Sequence, residues 1–312
     1  MDSIAVIGAG AWGLALAMQA VRAGRRVTLW ARQPAQAGAR LPGIVLPPEI
    51  TVTGTLPGAE LVLLAVPLQH LRAVAAALPP GGPLICCAKG IEQTSLALPL
   101  DILAGVQPGR PAAVLTGPSF AAEVAAGLPT AVVLAADGAQ LRRDAVAALA
   151  TPAFRLYGND DPIGAQVGGA AKNVIAIAAG AVIGAGLGEN ARAALITRGL
   201  AELGRLAVAL GGRAETVSGL SGMGDLLLTC TSDASRNYSF GRALGAGARP
   251  ADILAARAGV TEGVATAPAL VARALQLGVA VPVCAAVAAV LGERITLAQA
   301  IAALLARRLR DE

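Results

Sequence analysis

Lysine is almost absent from this 312-residue chain: of 25 Lys plus Arg residues, only Lys89 and Lys172 are lysine. Guanidinium holds its proton at any accessible pH, whereas an amine can release one. The two lysines are therefore the first candidates for chemistry. Histidine is scarcer still, with His70 in VPLQHLR alone and no serine or cysteine motif around it, which reads as a surface or turn residue. The four cysteines, Cys86, Cys87, Cys230 and Cys284, have neither metal-ligand spacing nor the density of a disulfide scaffold, so we expect no metal and a cytoplasmic setting. Aromatic residues make up 2% of the chain, too few to stack bases, and the arginines are dispersed. Nucleic acid is excluded on that ground, and the terminal RRLR reads as the solvated last turn of a helix. A net charge of +5 still suits small phosphorylated ligands. The longest uncharged apolar runs, such as VIAIAAGAVIGAGLG, stop at about fifteen residues, short of the roughly twenty a spanning helix needs, so no membrane insertion is expected. The first core strand is expected to begin at Ser3, so no signal peptide is expected.

What is present is organised in two parts. Up to residue 160, the runs IAVIG, RVTLW, AELVLLAVP, PLICCAKG, AAVLTG, PTAVVLAA and FRLYG alternate with Ala- and Leu-rich helical stretches. Near-continuous apolar strands with helical spacers predict a parallel sheet buried on both faces: a Rossmann-type, doubly wound α/β domain over 1–160. Residues 32–50, rich in Pro, Gly and Ala, predict a loop with little helix. After Asp161-Pro162 only helical periodicity remains, which predicts an all-α domain over 161–312. There Leu195, Ile196, Leu200, Leu203, Leu206 and Leu210 fall on one helix face, with Arg198 and Glu202 paired on the other. Thr296 and Gln299 have capping-box spacing at the last helix.

The first strand runs into GAGAWG. Gly8 permits a tight turn, Gly10 lets backbone approach a pyrophosphate, and Gly13 lets helix pack on strand, while the helix N-terminus supplies partial positive charge. This predicts NAD or NADP as cofactor. The second strand ends in Arg32 rather than a carboxylate, and an arginine there fits the 2′-phosphate of NADP, so NADP is the preferred reading.

The motifs GAGAWG, KG at Lys89, GPSFAAEV, GGAAKNVIAIAAG, TRGLAELGRL, GMGDLLLTC and SRN, in this order, closely resemble the bacterial NAD(P)-dependent glycerol-3-phosphate dehydrogenases. The resemblance implies interconversion of dihydroxyacetone phosphate and sn-glycerol 3-phosphate, a supply of glycerol phosphate for phospholipids, and a homodimer. It makes Lys172 the proton acceptor. It places Lys89, Gly117, Ser119, Asp225, Ser235, Arg236 and Asn237 at the substrate, and Ala11, Trp12, Arg32, Ala121, Val260 and Glu262 at the cofactor, with Lys89 and Arg236 shared. One departure is Gln166, where the family commonly has glutamate.

The same roles follow from the residues. Hydride transfer to a ketone develops charge on its oxygen, and a proton donor must meet it there. Lys172 in GAAKNVIAIAAG is the available donor if burial lowers its pKa from about 10.4 towards 7 or 8. Lys89 close in space would push the same way. Asp225 would oppose the shift if it touched the amine, so it either orients the lysine or binds substrate hydroxyls, with Thr229 one helical turn on in support. Arg236 suits a phosphate. A reductase of the ketopantoate or 3-hydroxyacid type is the alternative enzyme, and a cofactor-sensing protein on the same scaffold is the non-enzymatic one.

Overall fold

The computed structural model describes residues 1–38, 41, 43, 45–257 and 259–307. Of the terminal RRLR only Arg307 falls among them, so the reading of that cluster lies outside the described residues. Eight strands form one sheet: β1 (Ser3–Ile7), β2 (Arg26–Trp30), β3 (Ile50–Thr53), β4 (Leu61–Leu64), β5 (Leu84–Cys86), β6 (Ala112–Thr116), β7 (Thr130–Ala135) and β8 (Phe154–Asn159), in the order β3-β2-β1-β4-β5-β6-β7-β8. Alternate side chains go to opposite faces. Ile4 and Val6 enter one core, and Ala5 and Ile7 enter the other.

Two expectations about the sheet need correction. Among the described residues the strands number eight rather than seven, because β3 (ITVT) is a half-buried four-residue edge strand without the continuous apolar run of its neighbours. The sheet is also not wholly parallel: β7 runs antiparallel to β6 and parallel to β8. The helix between β6 and β7, α4 (Ala121–Ala126), has six residues and ends at Gly127 in a left-handed conformation, φ +78°. It rises about 9 Å, against about 16 Å for a five-residue strand, and so does not carry the chain back to the start of β6.

The remaining helices of the α/β part are α1 (Ala11–Arg22), α2 (Leu68–Ala76), α3 (Pro99–Val106) and α5 (Ala139–Leu149). Arginines do specific structural work here. Arg22 donates to the carbonyls of Val124 and Ala125, and Arg25 to those of Ala147 (2.9 Å) and Ala148 (3.0 Å), so guanidinium forks satisfy the last turns of α4 and α5. A lysine has no fork to share between two carbonyls, which accounts in part for the bias to arginine.

From α6 onward the chain is helical: α6 (Pro162–Gly184), α7 (Gly188–Ala209), α8 (Ala214–Ser218), a π-helical turn (Leu220–Gly224), α9 (Asp225–Cys230), α10 (Arg236–Gly245), α11 (Pro250–Ala255), α12 (Glu262–Gln276), α13 (Pro282–Leu291) and α14 (Leu297–Leu305). The last strand ends at Asn159 and α6 begins at Pro162. Asp161 starts α6 by accepting from the Gly164 amide at 2.8 Å, with Pro162 in the first turn. This helix is longer than the apolar run because it continues through Lys172 and Asn173. Among the described residues it is the one helix long and apolar enough to cross a membrane, yet 89% of its apolar window is buried inside the protein. Glycines let α10 reach it at backbone distance. A Cβ at Gly180 would lie 2.0 Å from the Tyr238 carbonyl oxygen, and one at Gly241 would lie 2.0 Å from that of Ile177.

Glu202 does not lie on the outer face expected for its pairing with Arg198. Glu202 is 1% exposed and accepts from the amides of Val283 (2.7 Å) and Cys284 (3.2 Å), satisfying the first turn of α13. Ile196, Leu203 and Leu206 are buried as their spacing predicts, and Thr296 and Gln299 form the capping box at α14.

Candidate active site

The glycine turn after β1 lies where the sheet order reverses, with β1 between β2 and β4. Gly8 has φ +118°, and a Cβ there would lie 2.7 Å from the Ala65 carbonyl oxygen; one at Gly13 would lie 1.8 Å from that of Gly8. Packing therefore requires both glycines. Nothing lies within 4 Å of a Cβ at Gly10, the N-cap of α1, and no side chain caps that helix. Free amides at a helix start facing open space fit a pyrophosphate. Ala11 and Trp12 are the first residues of α1, and Arg32 is exposed two residues past β2.

Both lysines converge on one carboxylate. Asp225 Oδ1 accepts from Lys172 Nζ, and its Oδ2 accepts from Lys89 Nζ at 2.6 Å. Lys172 also donates to Thr229 Oγ1 at 3.1 Å, while the Thr229 hydroxyl donates to the Asp225 carbonyl at 2.6 Å. The Lys172 side chain is 10% exposed, so its head does not snorkel to water. Burial lowers its pKa to about 8; Asp225 pulls upward and Lys89 pushes further down. Burial alone would raise the Asp225 pKa, but the two ammonium groups outweigh it and hold the carboxyl below its usual range. Asp225 thus contacts the amine and opposes the shift, and burial still wins. Gly169, one turn before Lys172, leaves room for this arrangement: a Cβ there would lie 2.9 Å from Thr116 Oγ1 and 3.6 Å from Lys89 Cγ.

The π-helical turn runs directly into Asp225, the first residue of α9. A Cβ at Gly224 would lie 3.6 Å from the Pro118 ring, so the turn Gly117–Ser119 packs against the residue that precedes Asp225. Ser119 Oγ donates to the Gly117 carbonyl at 3.0 Å. Ser235 is the N-cap of α10 and accepts from the Tyr238 amide at 3.2 Å, and Arg236 follows it, exposed.

The buried Asn237 carboxamide has partners on two other helices. Its Nδ2 donates to Asn173 Oδ1 (2.9 Å) and its Oδ1 accepts from the Gly263 amide (2.9 Å), so its carboxamide links α6, α10 and α12. Asn173, adjacent to Lys172, is the residue that reasoning from motifs left out of the contact set. Ala121 opens α4, Val260 is 42% exposed, and Glu262 opens α12. Burial raises the Glu262 pKa to about 7, against the pull of Arg236 and the Leu68 amide. His70 is exposed on α2, and all four cysteines are buried and free.

A glycine fingerprint at the switch point of an α/β sheet, joined to helices that carry a buried lysine, defines a two-part NAD(P)-dependent oxidoreductase. Two family models agree: the one described as NAD-dependent glycerol-3-phosphate dehydrogenase N-terminus matches residues 3–142, and its C-terminus counterpart matches residues 161–302. The chain is 59% identical over 288 residues to a glycerol-3-phosphate dehydrogenase [NAD(P)+] of Acidiphilium cryptum, covering 89% of this chain and 88% of the relative. It is 56% identical over 289 residues to the protein of that name from Gluconobacter oxydans, covering 90% and 89%. A crystal structure of glycerol-3-phosphate dehydrogenase from Coxiella burnetii superposes with a TM-score of 0.93 at 37% identity, covering 98% of this chain and 99% of the other. The chain belongs to the NAD-dependent glycerol-3-phosphate dehydrogenase family.

Proposed function

We propose that the protein interconverts dihydroxyacetone phosphate and sn-glycerol 3-phosphate with NADPH or NADH, and supplies glycerol phosphate for phospholipid synthesis in the cytoplasm. In this reading residues 1–160 are the dinucleotide domain and 161–312 the substrate and catalytic domain. The observation that carries it is the pair of lysines on Asp225, within a chain that matches one family over residues 3–142 and 161–302. A homodimer belongs to the same proposal, on the family resemblance alone.

The cofactor, when bound, exchanges hydride with the substrate's reacting carbon. Lys172 gives a proton to the ketone oxygen in reduction and takes it back in oxidation. A pKa of about 8 keeps both forms accessible near neutrality. Asp225 and Thr229 hold two of the three amine hydrogens and leave the third for the substrate. Lys89 sets a second positive charge where the alkoxide develops. Gly117, Ser119, Ser235, Arg236 and Asn237 surround the remainder of the substrate, with Arg236 on its phosphate. Ala11, Trp12, Arg32, Ala121, Val260 and Glu262 line the cofactor, and exposed Arg32 favours the 2′-phosphate of NADP. Ketopantoate and 3-hydroxyacids, the alternative substrates, carry no phosphate for Arg236.

The direct test is the rate with dihydroxyacetone phosphate, NADPH and NADH side by side, and with ketopantoate. Turnover of ketopantoate but not of dihydroxyacetone phosphate would overturn the proposal. Arg236→Leu is expected to lower kcat/KM for dihydroxyacetone phosphate by about 100-fold, since charge-assisted hydrogen bonds contribute about 1.5–3 kcal/mol each. Turnover of unphosphorylated dihydroxyacetone should change far less. Equal losses on the two ketones would remove Arg236 from the phosphate.

A further inference from the structure

Lys89 stands on the loop between β5 and α3, and that loop is fastened to α2 just beyond the lysine. Glu92, 5% exposed, accepts from Arg72 Nε at 2.9 Å and Arg72 Nη2 at 2.7 Å, and also from the Ser95 hydroxyl. Its backbone closes the turn as well. The Glu92 amide donates to the Ala97 carbonyl at 3.1 Å and its carbonyl accepts from the Leu96 amide at 2.9 Å, with Leu96 at φ +60°. One turn before Arg72 on α2, the Gln69 side chain donates to the Ile91 carbonyl (3.0 Å) and accepts from the Gln93 amide (3.1 Å). Ile91 itself is buried in the core of the helical part. Between these anchors and Lys89 there is only Gly90, at φ +140°. A Cβ there would lie 2.8 Å from Thr266 and 2.9 Å from Leu68.

We propose that Glu92 and Arg72 are positioning residues for the reaction: they lock the loop that presents Lys89 to Asp225. A buried carboxylate held by a guanidinium fork has one geometry, and it fixes the chain three residues past Lys89. The ammonium is thereby kept at 2.6 Å from Asp225 Oδ2, opposite Lys172. The charged groups facing Lys172 are Asp225 from α9 and Lys89 from this loop, with the buried Cys230 thiol close by. If Lys89 drifts away, Lys172 loses a repelling charge and gains a larger share of Asp225. Both changes raise the pH at which Lys172 gives up its proton. This role rests on Lys172 being the acid and base of the proposed reaction.

The test is the pH dependence of kcat for glycerol 3-phosphate oxidation in wild type, Glu92→Gln and Gln69→Ala. Arg72→Lys serves as the conservative variant that keeps the charge and loses the fork. Glu92→Gln is expected to lower kcat about tenfold and move the rising limb to higher pH by half a unit or more, with NADPH affinity unchanged. Gln69→Ala, a half-buried neutral change, should move the limb in the same direction by less, and Arg72→Lys should fall between it and Glu92→Gln. A limb that stays in place in Glu92→Gln and Gln69→Ala, with only thermal stability lost, would reduce the pair to a structural clamp and overturn the inference. A wild type without a rising limb would instead overturn the role of Lys172, so the two failures are told apart.

Discussion

Replacing Lys172 by methionine is expected to lower kcat by about a thousandfold while NADPH binding is kept and the melting temperature holds or rises. General acid–base catalysis by one side chain contributes about 10²–10⁴ in rate, and among the described residues Lys172 is the ionisable donor placed in apolar surroundings beside Asp225. The prediction about stability is the sharper half. Two ammonium groups share one buried carboxylate, so the cluster carries an uncompensated positive charge. Methionine at 172 leaves Asp225 paired with Lys89 and removes a buried cation. A pKa of about 8 in the fold against 10.5 in the unfolded chain means that the unfolded state binds more protons between those values. Wild-type stability therefore rises with pH from about 8 to about 10.5, and below that window burial of the ammonium costs about 3 kcal/mol. Steady-state kinetics, NADPH fluorescence titration and melting curves at pH 7 and 9 check each part. Residual turnover above a few per cent would mean that Lys89 or water supplies the proton. In wild type, reduction should weaken as pH rises through about 8 and oxidation should strengthen, because the first needs the ammonium and the second the amine.

Asp225→Asn is expected to give the opposite result for stability: activity falls at least a hundredfold and the melting temperature falls with it. The carboxylate is 1% exposed and is the shared counter-ion of both amines. Removing one member of a buried ionic cluster typically costs about 3–5 kcal/mol, since the charges left behind stay desolvated. The missing upward pull of Asp225 should also drive the Lys172 pKa below about 8. Part of the lost stability should then return as pH is raised and Lys172 neutralises. Melting curves from pH 6 to 10 measure this, and a stability deficit that does not shrink with pH would remove Asp225 from the role of shared counter-ion.

The two-part organisation was legible because it rests on local periodicity. Seven apolar strands, the change to helices at Asp161 and the capping box at Thr296 each declare themselves within a few residues. The glycine fingerprint could be read for the same reason: Gly8 turns the chain at φ +118° and Gly13 packs against the Gly8 carbonyl five residues back. Strand β3 escaped because a half-buried edge strand carries no long apolar signal, and the direction of β7 escaped because it depends on the length of α4. Glu202 was assigned to an outer face because helical spacing does not reveal that the start of α13 needs an acceptor there.

The choice of lysine at two of 25 cationic positions, the turn at Gly8 and the apolar setting of Lys172 were determined by the sequence alone, since each is a matter of residue type and near neighbours. Only the tertiary structure decided that Asp225, 53 positions from Lys172 and 136 from Lys89, joins both. The physical reason lies in the electrostatics. The proton affinity of an amine depends on how much water it loses and which charges surround it, and both are set when α6, α9 and the Lys89 loop are brought together.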